Sequence, residues 1–340
     1  MSIMPLRHFR RPSWQRRGFA ATPRAGAKLV LVTGATGFIG RHLVYRLVER
    51  GDRVIVLARD RDKAADLFGP HAGVVTSLDE VSDSASIDAI VNLAGAPIAT
   101  RRWTRRRKRE LLMSRIAVTR ALVAFAARLS KPPATWINAS AIGYYGVRTD
   151  DVALHEKSDS QSAFQSELCH AWERCAARAS AHGVKVALLR FGLVLGSDGG
   201  VLPALARPVR LGVRVVLGAG TQWVSWIHLH DLLELILFVL DQAKLAGPVN
   251  ATAPTPVRQA ELVDAIAAAT RARTLRIAIP ARWPRALLGE LAELFVDGQR
   301  VVPERATALG FKFRYATIGA ALESLLARRR ESGAVVPNAS

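Results

Sequence analysis

Three hydroxyl side chains have the chemistry and the placement to exchange a proton: Ser140, Tyr144 and Tyr145, in the stretch SAIGYYG. A serine or tyrosine within hydrogen-bond reach of a reacting oxygen can act as a general acid or base. The stretch follows an apolar run, Trp136 to Ala139, that predicts a strand, and α/β folds keep their reactive groups at strand ends. The sequence therefore makes these three hydroxyls candidate catalytic groups.

A glycine-rich turn indicates a second chemistry, the binding of a phosphate-bearing ligand. In KLVLVTGATGFIGRHLVYRLVER, an apolar run from Leu29 to Val32 leads into Gly34, Gly37 and Gly40, and apolar residues at helical spacing follow. Glycines let the backbone approach a pyrophosphate, and the helix N-terminus offers it N–H groups and the positive end of a dipole. A second strand over Arg53 to Leu57 completes a βαβ unit, which predicts a bound dinucleotide.

The residues after that second strand indicate which dinucleotide is bound. A carboxylate there would bond the ribose 2′-hydroxyl of NAD, whereas this chain has Arg59 before Asp60, with Arg61 and Lys63 close by. Cations favour a 2′-phosphate, so the sequence predicts NADP(H). Asp60 is the one feature that points towards NAD.

Further helices and strands must position these groups. The predicted elements are strands at Val74 to Val75, Ala89 to Leu93 and Val184 to Leu189, helices at Thr104 to Leu129 and Phe164 to His182, and then a helix after Pro256, a strand at Leu275 to Ile279 and helices at Leu287 to Phe295 and Ile318 to Leu326. The strand ending at Leu189 is predicted to complete a parallel sheet, and the later elements to form a small mixed sheet with helices.

The net charge of +20 is concentrated in two short segments. The first 27 residues hold six arginines and no acid, and residues 101–109 hold seven basic residues in nine. The first segment is predicted to be a disordered tail, with a mitochondrial presequence as the alternative. The second run opens a helix, where the expected role is a solvated face, with an acidic ligand or nucleic acid as alternatives. Residues 328–340 have little apolar content and are predicted to be disordered.

Composition restricts the compartment and the partners. The longest apolar stretch after the first strand, Leu232 to Leu240, contains Glu234 and is too short to cross a bilayer, so no membrane partner is expected. Cys169 and Cys175 are the only cysteines, and no Cys/His ligand cluster appears, so we expect a reducing compartment and no metal. The predicted location is the cytoplasm, or the mitochondrial matrix if residues 1–27 are a presequence.

The spaced motifs of the chain resemble one known family. VTGATGFIG, VNLAG, SAIGYYG, RFGLVLGSDGG, SWIHLHDL, GPVNATAPTPV and GELAELFVDGQRVVPERATALGFKFRY are similar to the epimerase-like branch of the atypical, extended short-chain dehydrogenase/reductases, whose bacterial members often carry the label "epimerase family" or "cell-division inhibitor SulA-like". The match runs from about Lys28 to Leu326. The resemblance implies an α/β Rossmann fold, a doubly wound parallel sheet binding NADP over 28–190 with some later segments returning to it. A smaller α+β substrate-capping domain would occupy 191–327.

The resemblance also implies roles for residues within intact motifs. Those expected to bind the cofactor are Gly34, Gly37, Phe38, Ile39, Gly40, Arg59, Leu93, Ala94, Gly95, Leu193 and Val194. Phe38 and Ile39 would give backbone N–H groups to the pyrophosphate, and Arg59 would meet the 2′-phosphate. Leu93 to Gly95 would lie against the adenosine, and Leu193 and Val194 would belong to the segment that runs alongside the nicotinamide.

The chain departs from the family in its chemistry. The superfamily uses a Tyr-x-x-x-Lys pair on the helix after the fifth strand, but this helix begins FQSELCHAWE and offers Phe164 with Leu168, or Gln165 with Cys169. Ser140, Tyr144 and Tyr145 are therefore the candidate substitutes.

Several other polar or aromatic residues lie in motif segments and have simpler structural interpretations. Glu173 is expected to be a buried structural carboxylate, and His228 and Asp231 to cap a helix that starts near Leu229. Trp223 and Trp226 are expected to pack between the domains.

Two functions from different classes stay open at this point. The chain is predicted to be an NADP(H)-dependent oxidoreductase or nucleotide-sugar-epimerase-like enzyme with an unusual proton donor, acting on an unidentified small molecule. The alternative is a non-catalytic NADPH-responsive regulator, for example in cell division. Nucleic-acid binding is not expected, because the basic run has one aromatic residue, Trp103, and lies in no known binding module.

Overall fold

The structure is a computed structural model that describes residues 25–326, apart from 149, 243 and 244. Most of the predicted basic tail and all of the predicted C-terminal tail therefore lie outside the described residues. The strands are β1 (Leu29–Thr33), β2 (Arg53–Leu57), β3 (Gly73–Val75), β4 (Ala89–Asn92), β5 (Thr135–Ala141), β6 (Ala153–Leu154), β7 (Lys185–Phe191), β8 (Leu193–Gly196), β9 (Gly199–Gly200), β10 (Val213–Leu217), β11 (Trp223–Val224), β12 (Trp226–His228), β13 (Gly247–Ala251), β14 (Val257–Arg258), β15 (Leu275–Ile279) and β16 (Arg300–Val301).

Helices connect these strands on both faces of the main sheet and form most of the C-terminal part. They are α1 (Phe38–Glu49), α2 (Arg61–Phe68), α3 (Arg105–Arg128), α4 (Phe164–Ala177), α5 (Leu202–Arg210), α6 (Leu229–Asp241), α7 (Gln259–Thr270), α8 (Arg282–Leu288), α9 (Glu293–Val296), α10 (Glu304–Ala308) and α11 (Ile318–Leu326). Turns of 3₁₀ helix follow β5 at Ile142–Tyr145 and extend α4 at Arg178–His182.

The main sheet has seven strands in the order β13-β7-β5-β4-β1-β2-β3, and every pairing in it is parallel. The apolar run that predicted β1 forms an inner strand next to the central β4, because a strand covered on both faces must be apolar at every position. The expectation that the sheet ends with the strand after α4 is wrong, since β13 adds an outer strand beside β7. Its sequence, GPVNA, has little apolar character, and its proline is tolerated because β13 lies at the sheet edge.

Two apolar layers cover the faces of this sheet. On one face α1 packs against α6, with Leu43, Leu47 and Ile236 fully buried. On the other face α3 packs against α4 and the 3₁₀ turn after it, around Leu122 and Phe125. Two elements after residue 190 thus belong with the main sheet, since β13 is one of its strands and α6 covers one of its faces. The division of the chain into two domains at residue 190 stays a prediction.

A third apolar cluster forms the centre of the C-terminal part, where α5, α7 and α11 pack together. Beside it, β10 pairs in parallel with β15, which has the predicted bounds. The predicted helix from Leu287 to Phe295 is wrong as one element. It is broken at Gly289, whose φ of +60° ends α8, and a 3₁₀ turn then leads into α9.

Two kinds of feature are absent from the part of the chain that the structure describes. In 25–326 without the three gaps, no helix is long and apolar enough to span a membrane. The same residues contain no group of histidine, cysteine or acidic side chains that could hold a metal ion. Cys169 and Cys175 are both free thiols and both buried.

Candidate active site and cofactor cleft

The glycine turn between β1 and α1 leaves no room for side chains. Gly34 has a φ of +68°, and a Cβ there would lie 2.6 Å from the carbonyl carbon of Leu93. A Cβ on Gly40 would lie 2.3 Å from the carbonyl oxygen of Gly34, because the helix packs directly against the turn. Gly37 is the N-cap of α1 and gives it no side-chain cap, so the first N–H groups of the helix have no side-chain acceptor there. This open helix end beside a bare backbone fits a dinucleotide pyrophosphate.

The ring of Phe38 fixes a second glycine segment over the same helix end. A Cβ on Gly196, Gly199 or Gly200 would lie within 3.0 Å of ring atoms of Phe38, the shortest separation being 2.4 Å at Gly199. The role predicted for Phe38 was confined to its backbone N–H. The clustered glycines of GSDGG were a usable signal for this contact, since such clusters often mark a close approach by another group.

Asp198, within this glycine segment, anchors the segment to α1. Its carboxylate accepts a hydrogen bond from Nη2 of Arg41 at 3.1 Å and lies 3.1 Å from Nε2 of His42. The hydrogen bond with His42 is the main reason that the pKa of Asp198 is lowered. The glycine segment 196–200 and the turn between β1 and α1 are therefore held together by charge as well as by packing.

The arrangement of Arg59 and Asp60 after β2 bears on the choice of dinucleotide. Oδ1 of Asp60 accepts a hydrogen bond from the backbone N–H of Lys63 at 3.0 Å, so this carboxylate caps α2. Arg61 turns away to the carbonyl of Val74, at 2.8 Å. Arg59 is exposed, and no partner for its guanidinium occurs among the described residues.

The other predicted cofactor residues surround the same turn. Leu93, Phe38, Ile39 and Val194 all pack on the cluster of α1 and α6. The side chain of Asn92 fixes the chain just after β4, since its Oδ1 accepts a hydrogen bond from the backbone N–H of Ala94 at 3.3 Å. The remaining two predicted positions are Gly95, exposed beyond β4, and Leu193, half-buried in β8.

Ser140 lies inside β5, within a buried polar cluster. Its hydroxyl donates to Oε1 of Glu173 at 2.7 Å, and it is only 3% exposed. Arg190 holds the same carboxylate with two hydrogen bonds, from Nε at 2.9 Å and from Nη2 at 3.0 Å. The structural interpretation of Glu173 agrees with this geometry.

Tyr145 belongs to the same cluster. Its hydroxyl donates to Oδ1 of Asn250 at 2.7 Å and accepts from Nη1 of Arg190 at 3.1 Å. Burial raises the pKa of Tyr145 to about 12, even though the nearby Arg190 opposes this shift. Such a phenol gives up its proton less readily than a tyrosine in water, which does not favour Tyr145 as a proton donor at neutral pH.

Tyr144 differs from Tyr145 and Ser140 because it is only half-buried. The guanidinium carbon of Arg190 lies 3.3 Å from its ring centroid, and the ring of His170 lies 4.2 Å away. Within the described part of the chain, no hydrogen bond involves its hydroxyl. Of the three candidate hydroxyls, this one is free to meet a ligand.

Of the two pairs of positions considered for the superfamily's tyrosine and lysine, Gln165 with Cys169 is buried and Phe164 with Leu168 is apolar and packed. Phe164 begins α4 and meets the ring of Trp103 edge-on at 4.9 Å. Leu168 is buried in the same cluster, together with Leu291 from the C-terminal part. Lys108 lies near this wall, with its Nζ 4.8 Å from the Phe164 ring centroid.

His228 and Asp231 tie the C-terminal segment to α6. Nδ1 of His228 accepts from the backbone N–H of His230 at 2.9 Å and caps the helix, as expected. Burial lowers the pKa of His228 to about 4. Asp231 accepts the backbone N–H groups of Arg314 and Tyr315, so it caps no helix end of its own.

The two tryptophans have different surroundings. Trp226 is fully buried and donates from Nε1 to the carbonyl of Thr255 at 3.0 Å. Trp223 is half-buried, and the guanidinium carbon of Arg258 lies 3.7 Å from its ring centroid. The expectation that both tryptophans pack between the two domains stays a prediction.

The basic run at the start of α3 is partly used inside the protein. Arg107 is buried and donates to the carbonyl of Pro97, and Lys108 pairs with Glu290. The others are exposed. Part of the run is thus structural, and the expectation of a solvated face holds for the rest.

A seven-stranded parallel sheet with an open glycine turn at the carboxyl end of its first strand defines a Rossmann-type dinucleotide-binding protein. Comparison with known proteins gives the family. The model of the NAD-dependent epimerase/dehydratase family matches residues 30–251, and that of a domain of unknown function (DUF1731) matches residues 279–325. The chain belongs to the NAD-dependent epimerase/dehydratase family, within the extended short-chain dehydrogenase/reductase superfamily, so the resemblance seen in the sequence is confirmed.

Individual relatives extend over most of the chain. The epimerase family protein SDR39U1 homolog, chloroplastic, of Arabidopsis thaliana is 38% identical over 303 residues, covering 87% of this chain and 86% of its own. Epimerase family protein YfhF of Bacillus subtilis is 33% identical over 305 residues, covering 88% and 99%. The crystal structure of human epimerase family protein SDR39U1 with NADPH has a TM-score of 0.79 and 32% identity, covering 88% of this chain and 99% of its own.

Proposed function

We propose that this chain is an NADP(H)-dependent oxidoreductase or epimerase-like enzyme that works without the tyrosine–lysine pair of its superfamily. The observation that carries the cofactor part is the arrangement after β2. Asp60 uses its carboxylate to cap α2, while Arg59 is exposed and unpaired among the described residues. An arginine whose neighbouring carboxylate is already engaged favours a 2′-phosphate over a bare 2′-hydroxyl. The human relative solved with NADPH supports the same choice.

In this proposal the pyrophosphate lies against the turn from Gly34 to Gly40. The N–H groups of Phe38 and Ile39 meet it at the open end of α1, and the bare glycines permit the approach. When bound, NADPH supplies a hydride to an electrophilic carbon of the substrate.

The proton that accompanies this hydride comes from Tyr144 in our proposal. Ser140 and Tyr145 both donate to partners inside the buried cluster, and each would have to break that bond to serve a substrate. Tyr144 has no such bond among the described residues, and it lies in the 3₁₀ turn directly after β5. Arg190, over its ring, would favour the tyrosinate that forms when the proton leaves.

The test is a screen of NADPH oxidation against carbonyl compounds and nucleotide sugars, with unmutated protein and two phenylalanine variants. Tyr144→Phe should lower turnover at least a hundredfold, in the range of general acid catalysis, and leave the NADPH dissociation constant unchanged. Tyr145→Phe is the matched control, expected to lower stability but to retain turnover per folded molecule. Turnover that survives Tyr144→Phe would refute the assignment of the donor.

The second candidate function is the non-catalytic NADPH-responsive regulator. Phe164 and Leu168 favour it, because apolar side chains packed into one cluster cannot replace a proton-transferring pair. Binding of NADPH without turnover across the whole panel would favour this candidate. Hydrogen exchange of β8 and β9 with and without NADPH would then show whether the cofactor closes the glycine segment that contacts Phe38.

A further inference from the structure

A second cationic side chain, distinct from the cofactor-binding arginine, lies at the end of β4 without an acidic partner. Arg115, on α3, is half-buried, and its guanidinium lies under Gly95, where a Cβ would be 2.9 Å from Cζ. Nη1 donates to the carbonyl of Leu111 at 3.0 Å, and Nη2 donates to the carbonyl of Ala96 at 3.2 Å. One face lies over Trp172, with Cζ 5.1 Å from the ring centroid.

The charge of Arg115 is therefore not balanced by its surroundings. Among the described residues, its hydrogen-bond partners are the two carbonyls and the hydroxyl of Ser114, and no carboxylate is among them. Burial lowers the pKa of Arg115, the neighbouring thiol of Cys169 opposes this shift, and the charge of Arg107 adds to it. A partly desolvated guanidinium with unused N–H groups is costly unless an anion meets it.

An apolar cluster adjoins this charge through Leu111 and Ala96, whose carbonyls accept its hydrogen bonds. Leu168 and Phe164 from α4 and Trp103 before α3 form a cluster with Leu291, from the C-terminal part of the chain. Partly buried apolar groups that pack on this cluster come from both parts of the chain, namely Ala96, Ile98, Leu112, Leu288, Leu294 and Phe295. A ligand in this region would meet the guanidinium of Arg115 beside an apolar wall, with Lys108 at the Phe164 end of that wall.

The structure assigns to Arg115 the recognition of an oxyanion on the substrate, and we propose that the substrate is a carboxylate or phosphate monoester with an apolar body. This inference rests on the proposed function, since it places the substrate beside the cofactor residues Leu93 to Gly95. The same oxyanion chemistry is also present in the phosphates of the cofactor. The experiment distinguishes the two. If Arg115 binds an oxyanion of the substrate, its replacement weakens substrate binding, and if it binds a phosphate of the cofactor, its replacement weakens cofactor binding.

The test is calorimetry with the full-length protein, first with NADP⁺ alone and then with phenyl phosphate, benzoate or benzyl alcohol at saturating NADP⁺. Arg115→Met removes the charge at similar length, Arg115→Lys keeps it, and Arg109→Met removes an exposed charge from the same helix as the control. We expect Arg115→Met to weaken phenyl phosphate and benzoate at least tenfold, and Arg109→Met to change them less than twofold. Arg115→Lys should be intermediate, and NADP⁺ affinity should stay within twofold throughout.

Several results would overturn the inference. The unmutated protein could bind benzoate and benzyl alcohol equally well, or it could show no saturable binding of either anion. Alternatively, Arg115→Met could lose affinity for NADP⁺ while its affinity for the anions is unchanged. The first two need no variant, so they decide the matter even if Arg115→Met fails to fold. A failure to bind NADP⁺ would contradict the proposed function instead, and it appears in the first titration, before any anion is added.

Discussion

Replacing Glu173, on α4, by glutamine should be among the most damaging single changes in the buried cluster that joins this helix to the sheet. The carboxylate accepts three hydrogen bonds, one from Ser140 at 2.7 Å and two from Arg190 at 2.9 and 3.0 Å, and both ends of the ion pair are almost fully buried. Glutamine has the same shape, but whichever way its amide turns, its NH₂ group meets an N–H of Arg190. The variant also leaves the charge of Arg190 buried without a counter-ion.

The cost follows from this geometry. Breaking a buried pair from one side costs about 3–5 kcal/mol, whereas removing both charges costs less than the sum of the single changes. Urea unfolding of Glu173→Gln, Arg190→Met and the double variant should give a coupling energy of about 2–3 kcal/mol. A loss below about 1 kcal/mol in Glu173→Gln would mean that water reaches the pair. If turnover also disappears in folded Glu173→Gln protein while stability is kept, Glu173 is an acid or base and the structural interpretation fails.

Two further predictions concern the turn and the pH dependence. Gly40→Ala should lose about 1–3 kcal/mol of stability and weaken NADPH binding, because the added Cβ would meet backbone atoms of Gly34 and Ala35. Gly319→Ala, in α11 with open space around the added Cβ, should gain about 0.5–1 kcal/mol of stability. Equal urea midpoints for the two variants would contradict this prediction. Since the pKa of His228 falls from 6.5 to about 4 on folding, its contribution of about 3 kcal/mol is present above pH 6.5 and is lost as the pH falls towards 4. His228→Asn keeps a capping oxygen and should reduce the loss of stability between pH 7 and pH 4.5, and an unchanged loss would show that other groups cause it.

The sequence predicted β1 and the glycine turn after it because both follow from local rules. A continuous apolar run before spaced glycines has few other interpretations, and β1, α1 and β2 form as expected. β13 could not be found in this way. Its residues become a strand only through pairing with β7, and a Gly-Pro start gives no local signal.

The buried cluster behind the candidate site was predicted only in part. The chain gave Glu173 and Ser140 as separate candidates, but their partner Arg190 lies 17 positions from Glu173 and on a different element. A charged residue at the end of the apolar run VALLRF was a usable signal, because strands buried on both faces rarely carry an unpaired charge. The role of Arg115 had no signal in the sequence, since it depends on which groups surround the guanidinium in space.

The central claim is that Arg59 reads the 2′-phosphate of NADP(H), and titration calorimetry with NADPH and NADH tests it most directly. The unmutated protein should bind NADPH more tightly by about 1.5–3 kcal/mol, the range for hydrogen bonds to charged groups. Arg59→Glu should remove that preference, while Arg53→Glu, an equal charge change at the opposite end of β2, should keep it. Equal affinities for NADPH and NADH in the unmutated protein, or a preference that survives Arg59→Glu, would contradict the account.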